Sequence, residues 1–245
     1  MKKSVNVTVW NEVEGNQEAY PEGIHQAVAG FLAKSGQFGE VRTATLNQPE
    51  HGLTEDILND TDVLIWWGHM YHHVVDDGIV NRVYQRVMQG MGLILLHSSH
   101  ASKIFQRLLG TMTWRLRWRD VGELERVWVV DHSHPILAGL PEYIEVPQSE
   151  MYGEHFHIPA PDELLTISWY EGGEVFRSGC TFKRGCGKIF FFSPGHESYR
   201  IYDMPEIQKI ITNGVNWAAP ETYPSIVFDH VPESPNMLSG YMNKK

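Results

Sequence analysis

Apolar residues along the first 110 positions follow two alternating patterns, which predict strands separated by helices. Short apolar or β-branched runs predict strands, and two of these runs are apolar throughout, as in strands buried inside a parallel sheet. Between them, apolar residues recur every three or four positions and predict amphipathic helices. The predicted strands are 5–10, 41–46, 62–67 and 92–96, and the predicted helices are 21–32, 53–58, 79–88 and 101–109. This order predicts an α/β fold with a doubly wound, mostly parallel sheet.

The pattern changes at about residue 111, where strands and turns replace the helices. The predicted strands of this part are 114–118, 126–130, 164–170, 174–182 and 188–193. We expect them to form an antiparallel extension of the same domain, closed by a helix over 205–218. Residues 1–220 are therefore predicted to form one domain. Residues 221–245 are predicted to be a proline-containing tail that covers the domain or a second copy in a homo-oligomer.

Composition and charge narrow the class of protein. Hydrophobic residues make up 42% of the 245 residues, as in globular proteins. No apolar run approaches the roughly 18 residues of a membrane span, and the N-terminus leads into a strand without a signal sequence, so we expect a cytoplasmic protein. The net charge of −10 would repel a nucleic-acid backbone or an anionic membrane, and fits a small neutral substrate. The two cysteines, Cys180 and Cys186, predict no disulfide framework.

Histidines follow three of the predicted strands. Because the carboxyl ends of parallel strands share one edge of a sheet, we expect these side chains to converge on a ligand site. His97 and His196 are candidate proton carriers, and Glu197 follows His196 directly. The residues after the three strands are His69, His72 and His73, then His97 and His100, and finally His196 and Glu197.

The turn after strand 92–96 has the strand, tight turn, helix order that exposes a nucleophile in hydrolases. Ser98 or Ser99 would occupy its tip. One alternative is a Ser-His-Glu hydrolase using His196 and Glu197. The other is that a serine only caps the following helix.

A second acidic cluster lies at residues 150–157. Strand-like alternation places Glu150, Tyr152 and Glu154 on one side, where two carboxylates and a phenol can hold a sugar or exchange protons. The alternative is a solvated loop. Trp66 and Trp67 stand beside His69, where an exposed indole would stack on a sugar ring.

The spacing of His69 and His72 is compatible with a metal site. Three residues apart on a helical turn, both imidazoles lie on one face. A third ligand from His25, His97 or a glutamate would complete a zinc-like site. The alternative is that both are ordinary loop histidines. The arginines and tryptophans at 114–119 instead predict a structural strand with Glu123 and Glu125 as partners.

Several motifs occur in an order that resembles the ThuA-like family, which is named for trehalose utilisation. The resemblance covers about residues 4–220. It implies a fold similar to class I glutamine amidotransferases, with a flavodoxin-like sheet. The motifs are DVLIWWGH at 62–69, GLILLHS at 92–98, HPILAGLP at 134–141, EMYGE at 150–154, GKIFFFSPGHE at 187–197 and NGVNWA at 213–218.

The resemblance also implies a change of chemistry. In amidotransferases the turn carries a nucleophilic cysteine, and a downstream His-x-Glu completes the triad. Here the turn reads His97-Ser98-Ser99-His100, which argues against glutaminase activity, while His196 and Glu197 take the place of the partner residues. The family is associated with disaccharide catabolism beside oxidoreductases that make keto-sugars.

The leading hypothesis is a sugar-modifying enzyme that uses acid/base chemistry on a disaccharide or keto-sugar. The second is a non-catalytic sugar-binding or regulatory protein on a degenerate amidotransferase fold, and the third is a Ser98-dependent hydrolase. A divalent metal such as zinc is a candidate cofactor. In the leading hypothesis the proton carriers are His97, His196, Glu150 and Glu154, with Glu197 beside them, and the substrate-binding residues are Trp67, His69, Tyr152 and Ser98.

Overall fold

The computed structural model describes residues 4–12 and 19–221 of the chain. Its strands are β1 (Val7–Asn11), β2 (Val41–Thr45), β3 (Val63–Trp67), β4 (Gly92–Leu96), β5 (Arg117–Val129), β6 (Tyr143–Gly153), β7 (Glu163–Tyr170), β8 (Val175–Arg184) and β9 (Gly187–Phe192). Its helices are α1 (Ile24–Lys34), α2 (Glu55–Asn59), α3 (Asp77–Met88), α4 (Lys103–Leu109) and α5 (Pro205–Ala218). The predicted tail from residue 222 onward, with its proposed contact to a second copy, lies outside the described residues.

All nine strands belong to one mixed sheet in the order β2-β1-β3-β4-β9-β8-β7-β5-β6. The strands from β2 to β9 in this order are parallel, and those from β9 to β6 are antiparallel. The predicted antiparallel extension is thus a continuation of the same sheet. The prediction of a mostly parallel sheet was wrong, because four of the eight neighbouring pairs of described strands are antiparallel.

Helices cover both faces of the parallel half of the sheet. Helices α1 and α5 pack on one face in a cluster that includes Val28 and Ile211. Helices α2, α3 and α4 pack on the other face, where Val83 and Phe105 are fully buried. Because both faces are covered, β3 and β4 are buried along their whole length, as their apolar sequences predict. Within the described residues, none of the helices has the length and apolar character needed to span a membrane.

Two helix boundaries differ from the prediction for identifiable reasons. Helix α1 begins at Ile24 rather than residue 21, because Gly23 has a φ of 88°, which is incompatible with a right-handed helix. The helix predicted from residue 101 begins at Lys103, after a 3₁₀ turn over His97–Ala101. Ser102 caps it by accepting a hydrogen bond of 3.3 Å from the amide of Phe105. The capping serine is therefore neither Ser98 nor Ser99.

Strands β5 and β6 form the long arm that brings acidic residues to the site. The sequence predicted separate strands at 114–118 and 126–130, but β5 is one strand that begins only at Arg117. Strand β6 was not predicted, since Pro147 interrupts its pattern. The pairing between the two strands shifts register between Asp120 and Glu125. Such irregularities bend and twist a strand pair, so the end of the arm need not follow the plane of the sheet.

The start of β4 is packed against the end of α5 so closely that only glycine fits there. A Cβ on Gly92 would lie 2.8 Å from the Cβ of Ala218 and still closer to its carbonyl oxygen. We expect Gly92→Ala to destabilise the protein by about 1–3 kcal/mol through overpacking. Thermal and urea unfolding would measure the loss.

Gly30 provides the matched control, because it is also a glycine in a regular element but has no neighbour within 4 Å of an added Cβ. Gly30→Ala is expected to stabilise the protein by about 0.5–1 kcal/mol, as alanine loses less backbone entropy in a helix. Equal changes in the free energy of unfolding of the two variants would contradict the prediction that an added Cβ at Gly92 is overpacked against Ala218.

Candidate active site

Three imidazoles meet where β3, β4 and β9 end. These strands are parallel neighbours in the sheet, so the loops that follow them lie side by side at the same edge. The ring centre of His97 is 5.8 Å from that of His69 and 5.3 Å from that of His196, and the latter two are 6.2 Å apart. The structure thus brings together the three strand-end histidines that the sequence pointed to.

Strand β6 adds a buried carboxylate to this cluster. The Oε2 of Glu150 lies 3.2 Å from the Nε2 of His97, and both side chains are buried. Tyr152, two residues along the strand, donates a hydrogen bond of 3.0 Å to the same oxygen. Its hydroxyl is also 2.8 Å from the Oγ of Ser98, which must then be the donor to the phenol. The predicted alternation is correct for Glu150 and Tyr152.

Electrostatics favour a charged Glu150 in spite of its burial. Burial raises the pKa of its carboxyl, but the hydrogen bond and charge of His97, together with the Tyr152 hydroxyl, lower the pKa below its ordinary value. Tyr152 itself stays neutral, because burial and the neighbouring carboxylate raise the pKa of its phenol well above the ordinary value. The pair therefore presents one anion held in a fixed position.

Glu197 forms an ion pair with His69 rather than with the adjacent His196. Its Oε2 lies 3.1 Å from the Nδ1 of His69 and 3.7 Å from the Nδ1 of His196. Burial raises the pKa of Glu197, but the hydrogen bond from His69 outweighs this effect and lowers the pKa to about 2. Burial lowers the pKa of His69, but Glu197 reverses the effect and raises it. His69 is therefore the more readily protonated imidazole beside this carboxylate.

His196 has a different environment. Its Nδ1 accepts a hydrogen bond of 3.0 Å from the amide of Ser198, and its Nε2 lies 3.7 Å from the Oδ2 of Asp120. Burial and the nearby His97 lower the pKa of the ring. Tyr199 packs against the imidazole with ring centres 4.5 Å apart and donates a hydrogen bond of 2.7 Å to Asp120.

Asp120 and Tyr199 were not predicted as site residues. Asp120 stands directly opposite Glu150 in the β5–β6 pairing. Directly opposed residues project from the same face of a sheet, so the pairing explains why both carboxylates face the histidines. The sequence carries no signal for this register.

The tip of the turn after β4 is His97, not Ser98 or Ser99. His97 has a φ of 52°, a left-handed conformation that is uncommon and strained for a bulky residue. Ser98 is buried and contacts Tyr152. The Oγ of Ser99 accepts from the amide of Gly68 and donates to a backbone carbonyl of β3, each at 2.9 Å. Both serines therefore stabilise the turn, and none of these hydrogen bonds is made to an imidazole.

Glu154, predicted to be a proton carrier, lies outside the cluster. Strand β6 ends at Gly153, so the alternation that placed Glu154 with Tyr152 stops one residue too early. Its carboxylate instead accepts hydrogen bonds from Arg177, at 2.8 Å from Nε, and from the amides of Phe156 and Arg177. These contacts make Glu154 a structural residue, and the prediction that it carries protons was wrong.

The prediction of an exposed indole beside His69 was also wrong. Trp66 is 1% exposed and stacks on Trp10, and Trp67 is 0% exposed and lies against His97 with ring centres 6.2 Å apart. Trp67 therefore supports the imidazole and cannot stack on a sugar. Among the described residues, Trp118 is an exposed indole, at 67%. It lines a groove of about 730 Å³ together with Leu116, Arg117, Arg119, Asp120, Met151 and Glu174.

The structure groups metal-type ligands differently from the prediction. In the parts of the chain described, the group of histidine and carboxylate donor atoms that all lie within 4.8 Å of one another consists of His97, Glu150 and His196. The predicted ligands His69 and His72 are not in it. His69 is paired with Glu197, and burial lowers the pKa of His72 to about 4. His25, a candidate third ligand, contacts the side chain of Asn11 at 3.2 Å instead.

A family model described as trehalose utilisation matches residues 6–218. The chain belongs to the ThuA family. No curated protein matches the chain at a significant level. The match to the family covers nearly all of the described strands and helices, including the cluster at the ends of β3, β4 and β9.

Solved structures with the same fold include other ThuA-like proteins. One from Parabacteroides merdae is 16% identical, with a TM-score of 0.64 over 91% of this chain and 94% of that one. Another, from Bacteroides uniformis, is 13% identical, with a TM-score of 0.60 over 87% and 91%. A cytoplasmic protein from Salmonella typhimurium is 14% identical, with a TM-score of 0.58 over 88% and 99%. At these identities the similarity establishes the α/β fold alone.

The reassignment of Glu154 leads to a pH-dependent prediction. Burial raises the pKa of Glu154, but Arg177 and the backbone amides lower it below 4.5. The pair therefore stabilises the folded protein above the ordinary pKa, and this contribution is lost as the pH falls through the lower folded-state value. We expect Glu154→Gln to cost about 1–2 kcal/mol at pH 7 and progressively less below pH 4, measured by urea unfolding.

Glu142 supplies the control for this experiment, because it is an exposed glutamate on the same arm. Glu142→Gln should change stability by less than about 0.5 kcal/mol at any pH. A stability loss in Glu154→Gln that stays constant from pH 7 to pH 3 would contradict the proposed ion pair.

Proposed function

We propose that this chain is a sugar-metabolism enzyme that moves protons on a disaccharide or keto-sugar. The observation that supports this best is the convergence of three imidazoles and two carboxylates from four strands in one cluster at the edge of the sheet. Imidazoles and carboxylates are the usual acid/base groups of enzymes, and burial strengthens their interactions with substrate. The trehalose-utilisation description of the family favours a carbohydrate as substrate.

His69 is the proposed proton carrier, and Glu197 is its positioning residue. A carboxylate that accepts from Nδ1–H fixes the ring and leaves Nε2 as the nitrogen that gains or loses a proton. Next to a sugar carbonyl, the base takes a proton from carbon and the electron pair moves to the carbonyl oxygen. Positive charge must then be available near that oxygen, and we assign this task to the side of the pocket that holds His97 and His196.

Nucleophilic chemistry has less support. The hydroxyl of Ser98 is hydrogen-bonded to Tyr152 rather than to an imidazole. Cys180 is buried, which raises the pKa of its thiol to about 12, and Cys186 belongs to the turn between β8 and β9. Neither the hydrolase nor a glutaminase is therefore part of the proposal.

We also propose the type of α/β fold and the cellular location of the protein. The order of the five parallel strands, 2-1-3-4 followed by β9, is that of flavodoxin-like sheets, and we infer a doubly wound fold of the amidotransferase type. We also infer a cytoplasmic location, as stated for the Salmonella typhimurium protein with this fold.

The groove beside the pocket is the proposed site for the rest of the substrate. Asp120 lines the groove, and its Oδ2 lies 3.7 Å from the Nε2 of His196, so the groove borders the histidine cluster at this side chain. Trp118 stands opposite Tyr152 in the β5–β6 pairing and therefore projects from the site-facing side of the arm. An exposed indole flanked by arginine and aspartate suits a sugar ring, whose C–H groups stack on the indole while its hydroxyls bond to the charged groups.

Proton exchange tests the catalytic proposal directly. Trehalose and a keto-trehalose would be incubated with the protein in D₂O, with loss of the proton next to the carbonyl followed by NMR. We expect the wild type to exchange this proton in the keto-sugar, and His69→Gln to be slower by about 100-fold or more. Glu197→Gln should lower kcat with little change in KM, and Glu197→Asp should recover part of the loss.

Glu154→Gln serves as the matched control, since the structure places this carboxylate outside the pocket. It should keep a rate within about threefold of wild type. If the protein binds the sugar but shows neither proton exchange nor turnover, the result would contradict an enzyme and support a carbohydrate-binding or regulatory protein. Hydrolysis that disappears in Ser98→Ala would instead support the nucleophilic mechanism and contradict ours.

Trp118 should contribute to binding rather than to chemistry. We expect Trp118→Ala to raise KM for a disaccharide by about 5- to 50-fold, in line with about 1–2 kcal/mol of lost stacking, with kcat nearly unchanged. A monosaccharide keto-sugar, which does not reach the groove, should show little effect. Steady-state kinetics on both sugars would check this, and an equal loss on both would place Trp118 outside the substrate site.

A further inference from the structure

Three side chains of the pocket have the donor set and proximity of a metal site. His97 comes from the end of β4, Glu150 from β6 and His196 from the loop after β9, and one ligand atom of each lies within 4.8 Å of the other two. All three are buried, with exposures of 1%, 6% and 2%. Two imidazole nitrogens and one carboxylate oxygen, with a further position left for water or substrate, are typical ligands of catalytic zinc.

The surroundings of His97 orient its ring toward Glu150. Its Nδ1 lies 3.3 Å from the carbonyl oxygen of Ser193, which can only accept, so Nδ1 is the donor of this contact. The Nε2 of the ring lies 3.2 Å from the Oε2 of Glu150, and both side chains are buried. A metal ion bound by both atoms satisfies this buried pair.

Neighbouring groups hold the side chains of His97 and Glu150 in place, as they do around the ligands of metal proteins. The Ser193 carbonyl fixes the ring of His97, and the hydroxyl of Tyr152 fixes the carboxylate of Glu150. The buried ring of Trp67 supports the imidazole of His97. The left-handed backbone at His97 is a strain that the fold maintains at this position. His97 and Glu150 are therefore held in place without a metal ion.

His196 needs one adjustment to act as a ligand. Its Nδ1 accepts from the amide of Ser198, and its Nε2 lies 3.7 Å from the Oδ2 of Asp120. Coordination through Nε2 places the proton on Nδ1, which lies 3.7 Å from the Oε2 of Glu197. That carboxylate would then be the outer partner of a carboxylate–histidine–metal arrangement.

Charge also favours a cation. Glu150, Glu197 and Asp120 all face this cluster, and their ion-pair partners in the described part of the chain are histidines rather than lysines or arginines. Three carboxylates therefore lie around the two ligand imidazoles, and a divalent ion bound among them would compensate part of their negative charge.

We propose that His97, Glu150 and His196 bind one divalent transition-metal ion, with zinc the best match to the donor set. The metal would supply the positive charge that the proposed function requires beside the sugar carbonyl, leaving His69 to move the proton. That chemical use rests on the proposed function, but metal binding itself does not.

Metal content of the full-length chain tests the site without any substrate. Untagged protein would be stripped with a chelator, loaded with Zn²⁺, dialysed and measured by elemental analysis, with affinity from calorimetric titration. We expect one zinc per wild-type chain and at least about 100-fold weaker binding in Glu150→Gln and His97→Ala. Glu150→Gln preserves size and shape, so circular dichroism should show an intact fold. Co²⁺ loading gives a second readout through its visible absorption.

His72→Ala and Glu154→Gln are the controls, since they remove a half-buried histidine and a glutamate outside the proposed ligand set. Both should still bind one zinc. Less than about 0.2 equivalents in the folded wild type, or equal zinc binding in the ligand variants, would overturn the site. Zinc binding without proton exchange would reject the proposed reaction and keep the metal site, while exchange by metal-free protein would keep the reaction and reject the metal's part in it.

Discussion

A carboxylate removed from water costs several kcal/mol unless hydrogen bonds and opposite charges replace its hydration. This protein buries Glu150 and half-buries Glu197 near the carboxyl ends of its parallel strands. Glu150 is compensated by His97 and Tyr152, and Glu197 by His69. Glu150 is therefore satisfied only when β4 and the β5–β6 arm are assembled, and Glu197 only when β3 and β9 lie side by side. The pocket and the mixed sheet therefore depend on the same contacts.

The arm also explains why an antiparallel half is attached to a parallel sheet. Loops at strand ends deliver three histidines, but no acidic residue of those loops reaches His97 in the way that Glu150 does. Strand β6 is the last strand of the sheet order, yet its end returns to the pocket. The shifts of register between Asp120 and Glu125 are where β5 and β6 depart from regular pairing. Asp120 and Glu150 form the last regular pair before these shifts, so the irregular pairing directly adjoins the site.

The success and failure of sequence reasoning follow from the range of the interactions involved. Hydrophobic periodicity is local, so it predicted the alternating strands and helices and hence the histidine edge. Alternation within one strand is also local, and it correctly paired Glu150 with Tyr152. The register of β5 against β6 is not local, and Asp120 was missed for that reason.

The wrong assignments have equally specific causes. The proton-carrying role predicted for Glu154 was wrong because β6 ends one residue before it, and its carboxylate pairs with Arg177 instead. The prediction of an exposed indole was wrong for Trp67 because this residue ends a continuous apolar run. The pattern that predicts a buried strand also predicts a buried indole at its end. The metal hypothesis relied on the spacing of His69 and His72 within one loop, with a third ligand from elsewhere, whereas the donor atoms that the structure groups together come from β6 and from the loops after β4 and β9.

The turn after β4 presents an imidazole at its tip. Its left-handed residue is His97, and the two serines that follow are bound to Tyr152 and to the backbone at β3. The loop after β9 is held against it at Gly195, where an added Cβ would lie 2.7 Å from the ring of Tyr202 and 3.3 Å from the Cβ of His97. Two imidazoles are therefore brought to 5.3 Å by backbone packing rather than by attraction between them. This packing also keeps both rings near the carboxylate of Glu150, which lies 3.2 Å from the Nε2 of His97 and whose charge acts on His196 as well, so the backbone places all three proposed ligands together.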